Sequence, residues 1–263
     1  MQVFVCKDPE EGARIVTEKI LSALEDRPEL VLGLATGSTP IGVYQQLIEA
    51  HKDDGVDFSS VSTFNLDEYC GLSGDQPQSY RAFMREHLFN GLNIPAENIH
   101  FPPNDGPELG EKCRQHEQEI LQAGGIDIQL LGIGSNGHIG FNEPTSSLAS
   151  RTRIKTLTEK TLRDNSRFYE DPSEQPQVAS TLGIGTILDA KCILLQAYGE
   201  KKAEAVKASV EGPISSFWPG SALQMHANVP FILDEASAAR LEMIDYFRKS
   251  RAEGLRLQEE NTI

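Results

Sequence analysis

The sequence predicts an α/β fold in which a mostly parallel, open sheet carries helices on both faces. Short apolar runs alternate along the chain with stretches in which apolar residues recur at helical spacing. Several of these runs are almost continuously apolar, which is typical of parallel strands that are covered on both sides. Because the alternation continues without a low-complexity linker or an internal repeat, we expect a single domain over residues 1–263.

Each element follows from its local pattern. Strands are expected in the apolar runs at residues 2–6, 30–34, 61–66, 98–101, 126–133, 192–197 and 229–233. Helices are expected at residues 10–26, 40–48, 77–89, 107–122, 202–210 and 236–249. Ala13, Val16 and Ile20 illustrate the helical spacing, and Pro40 suits the first position of a helix. The polar residues 251–263 are expected to fray.

The composition disfavours several classes of protein and partner. At 39% hydrophobic and 24% charged residues, the chain has the balance of an ordinary globular domain. No apolar run is long enough to span a membrane, and the N-terminus lacks a signal-peptide pattern. A net charge of −15 disfavours nucleic acid and anionic membrane surfaces as partners. The four cysteines are scattered without a C-x-x-C spacing, which argues against a zinc knuckle and against a disulfide framework, and favours a reducing cytoplasm.

Residues 127–144 combine a buried strand with a glycine-rich turn that carries His138, Glu143 and Asn136. An imidazole, a carboxylate able to orient it and a permissive backbone are the parts of a proton-transfer site. Two other interpretations remain open. The spacing G-x-G-x-x-G occurs here, but the dinucleotide fingerprint should open a helix and Pro144 follows too soon. The turn could also be structural, with a hydrogen-bonded histidine.

Two further strand ends carry candidate ligand groups. Residues 36–39, Thr-Gly-Ser-Thr, follow a strand and precede the helix that begins at Pro40, which is the layout of a phosphate cradle. A simple serine or threonine N-cap would produce the same pattern. Asp67 follows the third strand at the edge where ligands bind in open α/β sheets, although helix capping is an alternative role for it.

Basic residues are concentrated after the glycine-rich turn, within an otherwise acidic chain. The cluster consists of Arg151, Arg153, Lys155, Lys160, Arg163 and Arg167. A local anion site and a solvated helix face both fit this pattern. The turn-rich residues 171–176 follow it, so we expect a mobile lid over about residues 156–176.

Several motifs together resemble the glucosamine-6-phosphate deaminase family. They are residues 33–40 (GLATGSTP), 64–69 (FNLDEY), 132–144 (GIGSNGHIGFNEP), 146–156 (SSLASRTRIKT) and 165–168 (NSRF). The resemblance covers nearly the whole chain and implies a Rossmann-like fold. It further implies conversion of glucosamine 6-phosphate and water to fructose 6-phosphate and ammonia, with no metal or organic cofactor.

The resemblance also implies a role for each candidate residue. His138, oriented by Glu143, would open the sugar ring, and Asp67 would move a proton from C2 to C1. The substrate phosphate would bind Thr36, Gly37, Ser38, Thr39, Arg167 and Lys202. In hexameric members, residues matching Ser146, Ser147, Arg153 and Lys155 bind the activator N-acetylglucosamine 6-phosphate, so we expect a homo-oligomer, with a homohexamer favoured. Many members have Asp where this chain has Asn136, so here the residue should position His138 rather than relay a proton.

Two other functions stay open at this point. Sugar-phosphate folds of this type also serve as effector-sensing domains and as 6-phosphogluconolactonases. A binding module would not need Asp67, His138 and Glu143 together, and a lactonase would release no ammonia.

Overall fold

The computed structural model describes residues 1–166, 171 and 174–261. Within them, seven strands form one parallel sheet in the order β1-β10-β9-β6-β2-β3-β5. Its strands are β1 (Gln2–Cys6), β2 (Val31–Leu34), β3 (Ser62–Asn65), β5 (Ile99–His100), β6 (Ile128–Leu131), β9 (Cys192–Ala197) and β10 (Pro230–Asp234). The predicted α/β fold with a mostly parallel sheet is confirmed.

Helices cover both faces of this sheet. The described helices are α1 (Pro9–Asp26), α2 (Ile41–Asp53), α3 (Tyr80–His87), α4 (Leu109–Gln122), α5 (Glu159–Asn165), α6 (Ile184–Leu188), α7 (Ala203–Val210), α8 (Glu235–Ala238) and α9 (Ile244–Asn261). Among them, α5 packs in a separate small cluster with Tyr69 and Phe141. The two faces bury separate apolar clusters, one around Tyr44 and Leu34 and the other around Phe231 and Leu131. Among the described helices, none is both long and apolar enough to cross a bilayer.

The strand order reverses between β2 and β6. From β2 the chain adds β3 and then β5 toward one edge, returns to place β6 beside β2, and adds β9 and β10 toward the other edge. In open α/β sheets, ligands bind in the crevice outside the carboxyl ends of the strands at such a switch point. The loops that follow β2 and β6 are therefore expected to form the binding site.

A second, antiparallel sheet was not predicted from the sequence. It consists of β4 (Asp67–Tyr69), β8 (Val178–Thr181) and β7 (Arg153–Thr156), with β8 in the centre. β4 follows β3 after a single residue, Leu66, so the chain passes directly from one sheet into the other. The basic segment therefore contains β7 and α5, and is not one continuous helix face.

The C-terminal region also departs from the prediction. The single helix expected at residues 236–249 is divided into α8 and α9. α9 continues through Asn261 and so extends into the polar tail, for which fraying stays a prediction. An internal capping box at Asp234 and Ser237 begins α8, and the two helices are separated by a turn. Part of the expected lid, residues 167–170 and 172–173, lies outside the described residues.

Glycine is required at position 183 because the backbone of a neighbouring loop passes over it. A Cβ there would lie 2.0 Å from the carbonyl oxygen of Ser150. We expect Gly183→Ala to lower the free energy of unfolding by about 1–3 kcal/mol, since neither backbone can move easily. Gly110→Ala is a suitable control, because a Cβ at that position in α4 meets no atom within 4 Å. Chemical denaturation should show that only Gly183→Ala is destabilising, and equal stability of the two variants would contradict the packing.

Candidate active site

The loops that follow β2 and β6 line one large cleft of about 1220 Å³. Residues from five parts of the chain meet there. They include Thr36, Gly37, Ser38, Thr39, Asp67, Gly134, His138, Arg163 and Lys202. The reversal of strand order explains the meeting, because the carboxyl ends of β2 and β6 are adjacent.

Residues 36–39, which we call the anion loop, lead from β2 into α2. Gly37 adopts a φ of 100°, a conformation that other residues rarely tolerate. Pro40 precedes the first turn of α2, and no described side chain caps this end of the helix. The backbone N–H groups at the start of a helix favour an anion. The anion loop can therefore hold a phosphate by backbone groups and hydroxyls.

Lys202 provides a positive charge in the same cleft. Its ammonium donates a hydrogen bond of 2.6 Å to the carbonyl oxygen of Ile133, just beyond β6. This contact directs the charge toward the glycine-rich loop. Arg163, on α5, also lines the cleft. Arg167, which the sequence predicted as a phosphate ligand, lies outside the described residues.

Asp67 lines the cleft but is almost completely buried, with 7% of its surface exposed. Burial, followed by the nearby charge of Glu68, raises the pKa of the Asp67 carboxyl to about 8. Glu68 is itself held by three backbone N–H groups, those of Tyr69, Tyr80 and Arg81. Asp67 therefore gains and loses its proton near neutral pH, which suits a group that both accepts and donates one.

Asn136 bridges His138 and Glu143. Its side-chain nitrogen donates a hydrogen bond of 2.9 Å to Oε2 of Glu143, and its oxygen lies 2.7 Å from Nδ1 of His138. Because an amide oxygen can only accept, Nδ1 must carry the proton and Nε2 is the basic nitrogen of the neutral ring. The direct distance from His138 Nδ1 to Glu143 Oε2 is longer, at 3.7 Å. Asn136 is thus the immediate partner of the imidazole, and Glu143 orients Asn136.

Glu143 is buried and ionised. Burial acts to raise its pKa, but His138, Thr161, Asn136 and the backbone of Thr158 together hold the pKa below its usual value. Its second oxygen, Oε1, accepts from the backbone N–H of Thr158 at 3.4 Å and from the Thr158 hydroxyl at 3.2 Å. The sequence analysis did not identify these threonines. Thr158 could have been recognised as the N-cap of α5, but its contact with Glu143 depends on the tertiary fold.

The four residues expected to form a regulatory site do not line the cleft. Ser146 is buried, and its hydroxyl has no hydrogen-bond partner among the described residues. Ser147 is exposed, while Arg153 and Lys155 lie on β7 at alternate positions and therefore on the same face of the strand. Arg153 donates a hydrogen bond of 2.8 Å to the side-chain oxygen of Asn142, which lies beside Glu143 in sequence.

Comparison with known proteins identifies close relatives. Residues 9–231 match the family of glucosamine-6-phosphate isomerases and 6-phosphogluconolactonase. A protein of Hahella chejuensis named glucosamine-6-phosphate deaminase is 54% identical over 98% of each chain. The protein of the same name from Shewanella loihica is 50% identical over 98% of this chain and 96% of its own.

Solved structures give the same result. The structure of a monomeric glucosamine-6-phosphate deaminase is 43% identical, with a TM-score of 0.88 over 91% of this chain and 99% of that chain. A 6-phosphogluconolactonase from Leishmania guyanensis is 23% identical, with a TM-score of 0.71 over 90% of this chain and 97% of that chain. At this identity the second comparison supports the fold alone.

The buried Asp67 carboxyl should make stability depend on pH. In the unfolded chain this carboxyl ionises near 3.8, whereas in the folded chain it retains its proton until about pH 8. Folding therefore binds a proton between these values, and this contribution to stability is lost as the pH rises. We expect Asp67→Asn to be more stable than the wild type, by a margin that grows between about pH 4 and pH 8. Thermal unfolding across this range measures the margin, and a constant margin would contradict the raised pKa.

Proposed function

The chain belongs to the family of glucosamine-6-phosphate isomerases and 6-phosphogluconolactonases, and we propose that it converts glucosamine 6-phosphate and water to fructose 6-phosphate and ammonia. The match over residues 9–231 confirms the resemblance of the sequence to this family. One structural observation carries the proposal: Asp67, His138 and the anion loop line the same cleft. A proton-transfer pair beside an anion site matches an aminated sugar phosphate that must lose and regain a proton.

The first step is opening of the sugar ring. The neutral imidazole of His138 takes the proton of the anomeric hydroxyl at Nε2 and returns a proton to the ring oxygen, which becomes the C5 hydroxyl. Asn136 supports this step, because its oxygen holds the proton on Nδ1. The Glu143 carboxylate stabilises the His138 imidazole while the imidazole is transiently protonated.

The second step moves a proton from C2 to C1. The Asp67 carboxylate removes the C2 proton of the open-chain aldose, while the substrate ammonium gives up a proton to the aldehyde oxygen, which leaves a neutral enolic amine. Asp67 then returns its proton to C1. The resulting iminium at C2 adds water and releases ammonia, which yields the ketose. A pKa of about 8 makes Asp67 a stronger base than an exposed carboxylate, yet leaves it partly ionised at neutral pH.

The third requirement is an anchor for the 6-phosphate. The anion loop supplies N–H groups and hydroxyls from Thr36, Gly37, Ser38 and Thr39, and Lys202 supplies charge. We assign Arg167 to the same anchor on the family resemblance. Arg163 is an additional cation that lines the cleft, and it would contact the substrate once the phosphate is bound. Anchoring the phosphate places C1 and C2 beside Asp67 and so supplies orientation.

Ammonia release from purified protein tests the proposal. We expect ammonia and fructose 6-phosphate to form in equal amounts from glucosamine 6-phosphate, because a single reaction produces both. The same preparation should not accelerate hydrolysis of 6-phosphogluconolactone. Lactone hydrolysis without ammonia would reject the deaminase in favour of a lactonase. Sugar-phosphate binding without any turnover would identify an effector-sensing domain.

The proposed positioning role of Asn136 predicts the behaviour of Asn136→Asp. A carboxylate 2.7 Å from Nδ1 would favour the protonated imidazole and raise the pKa of His138. Ring opening requires the neutral imidazole, so the variant should remain active at high pH and lose activity at low pH sooner than the wild type. The pH dependence of kcat/KM measures this difference. An inactive variant would show that Asn136 has a role beyond positioning His138. An unchanged profile would show that Asn136 does not control the protonation of His138.

We also propose that Ser146, Ser147, Arg153 and Lys155 bind N-acetylglucosamine 6-phosphate in a homo-oligomer, with a homohexamer favoured. Two hydroxyls and two cations can hold a phosphate, and the Ser146 hydroxyl has no described partner. Arg153 contacts Asn142, whose side-chain nitrogen donates to the carbonyl oxygen of Ile139. A ligand at Arg153 could therefore act on the residue next to His138. One solved relative is monomeric, so the number of subunits is itself an outcome of the test below.

Activation can be tested by kinetics and mass together. We expect a sigmoidal rate curve that N-acetylglucosamine 6-phosphate makes hyperbolic, since the activator would favour the more active state. Light scattering should then give about six times the 29.0 kDa mass of one chain. Lys155→Ala should abolish the response but keep maximal turnover. A hyperbolic curve in the wild type, indifferent to the N-acetyl sugar, would reject the regulatory role.

The cytoplasm remains the proposed location of the reaction. All four cysteines are free thiols, and Cys6 and Cys113 are buried. Free thiols are typical of a reducing compartment.

A further inference from the structure

The loop that carries the catalytic groups is held from outside by a turn that the sequence analysis did not single out. We call residues 135–145 the catalytic loop and residues 215–221 the bracing turn. The bracing turn lies between α7 and β10, far from the catalytic loop in sequence. Two hydrogen bonds between backbone groups join them, one near each end of the catalytic loop.

The first junction is at Gly137, directly before His138. The N–H of Gly220 donates a hydrogen bond of 2.8 Å to the carbonyl oxygen of Gly137. The Trp218 ring packs on the α-carbon of Gly137, where an added Cβ would lie 2.6 Å from the ring. Gly137 has a φ of 82°, so its backbone conformation also favours glycine. Ring and hydrogen bond together fix the backbone from which the imidazole projects.

The second junction is at Thr145, two residues after Glu143. Thr145 has a φ of 75°, which is rare and strained for a β-branched residue. Its N–H donates a hydrogen bond of 2.7 Å to the carbonyl oxygen of Ser216. Such a strained conformation persists only where its surroundings hold it. The bracing turn supplies that constraint.

The bracing turn is itself rigid. Ser221 is fully buried, and its hydroxyl accepts from the N–H of Ser215 at 2.8 Å and donates to the Ser215 carbonyl at 3.1 Å. The N–H of Trp218 also donates to the Ser215 carbonyl, at 3.0 Å. A Cβ at Gly220 would lie 2.9 Å from Ile133 Cδ1, so the turn packs against the end of the parallel sheet. The bracing turn thus connects the catalytic loop to the parallel sheet.

We propose that the bracing turn sets the geometry of the chain of hydrogen bonds from Glu143 through Asn136 to His138, with Trp218 as the positioning residue. The two junctions lie before His138 and after Glu143 in sequence. They therefore fix the distance between these two side chains, which Asn136 bridges. Trp218 is not among the described residues that line the cleft. Its effect is therefore exerted through Gly137 and not by contact with the substrate. The inference rests on the proposed deaminase activity for its kinetic test.

Three variants test the positioning role. Trp218→Ala removes the ring from Gly137, Trp218→Phe keeps an aromatic ring there, and Phe217→Ala removes a neighbouring aromatic side chain that is 67% exposed. We expect Trp218→Ala to lower kcat by about tenfold or more and to change KM by less than about twofold, because loss of orientation affects the reaction more than binding. Trp218→Phe should recover most of the loss, and Phe217→Ala should match the wild type.

The titration of the His138 ring, followed by NMR of histidine-labelled protein, distinguishes a positioning role of Trp218 from a purely structural one. Loss of packing alone would not change this titration. Trp218→Ala should weaken the Nδ1–H hydrogen bond to Asn136 and shift the His138 titration, while the folded spectrum persists. If Trp218→Ala does not fold, Ser221→Ala loosens the same turn and decides the question by the same measurements. Wild-type kcat and an unchanged titration in a folded variant, or a change in KM alone, would overturn the inference. Absence of ammonia release in the wild type would reject the deaminase, and the titration alone would then decide the role of Trp218.

Discussion

The arrangement of the site depends on one topological constraint, the reversal of strand order between β2 and β6. Because these strands are adjacent and parallel, their carboxyl ends deliver the anion loop and His138 to the same crevice. Asp67 arrives by a different route, through the passage from β3 into the small antiparallel sheet after Leu66. The large sheet thus fixes the anchor and the imidazole, and the small sheet presents the buried carboxyl.

Two buried carboxyls of the site have opposite electrostatic environments. Asp67 is buried beside Glu68, and the pKa of its carboxyl rises to about 8. Glu143 is also buried, but hydrogen-bond donors and His138 lower its pKa. Pairs of titratable groups with pKa values pushed apart serve different chemical roles. Asp67 is therefore suited to exchange a proton, and Glu143 to remain a fixed charge behind Asn136.

Much of the fold could be predicted because its strands are nearly continuous apolar runs. The predicted strand at residues 192–197 matches β9, and His138, Asp67 and the anion loop were recognised by their positions at strand ends. The small sheet was not predicted, because β7 and β8 are short and β7 carries polar and charged side chains at an incompletely buried edge. The contacts of Thr158 with Glu143 and of Trp218 with Gly137 join distant segments, so no local pattern could reveal them.

The turnover of Asp67→Asn tests the central claim most directly, which is that Asp67 moves the substrate proton. Asn keeps the shape of the side chain and removes its basicity, and the structure indicates no loss of stability at this buried position. The account predicts that ammonia release from glucosamine 6-phosphate falls by roughly 10²–10⁴-fold, with little change in substrate affinity. Near-normal turnover in the folded variant would contradict it and would require a different group to transfer the proton.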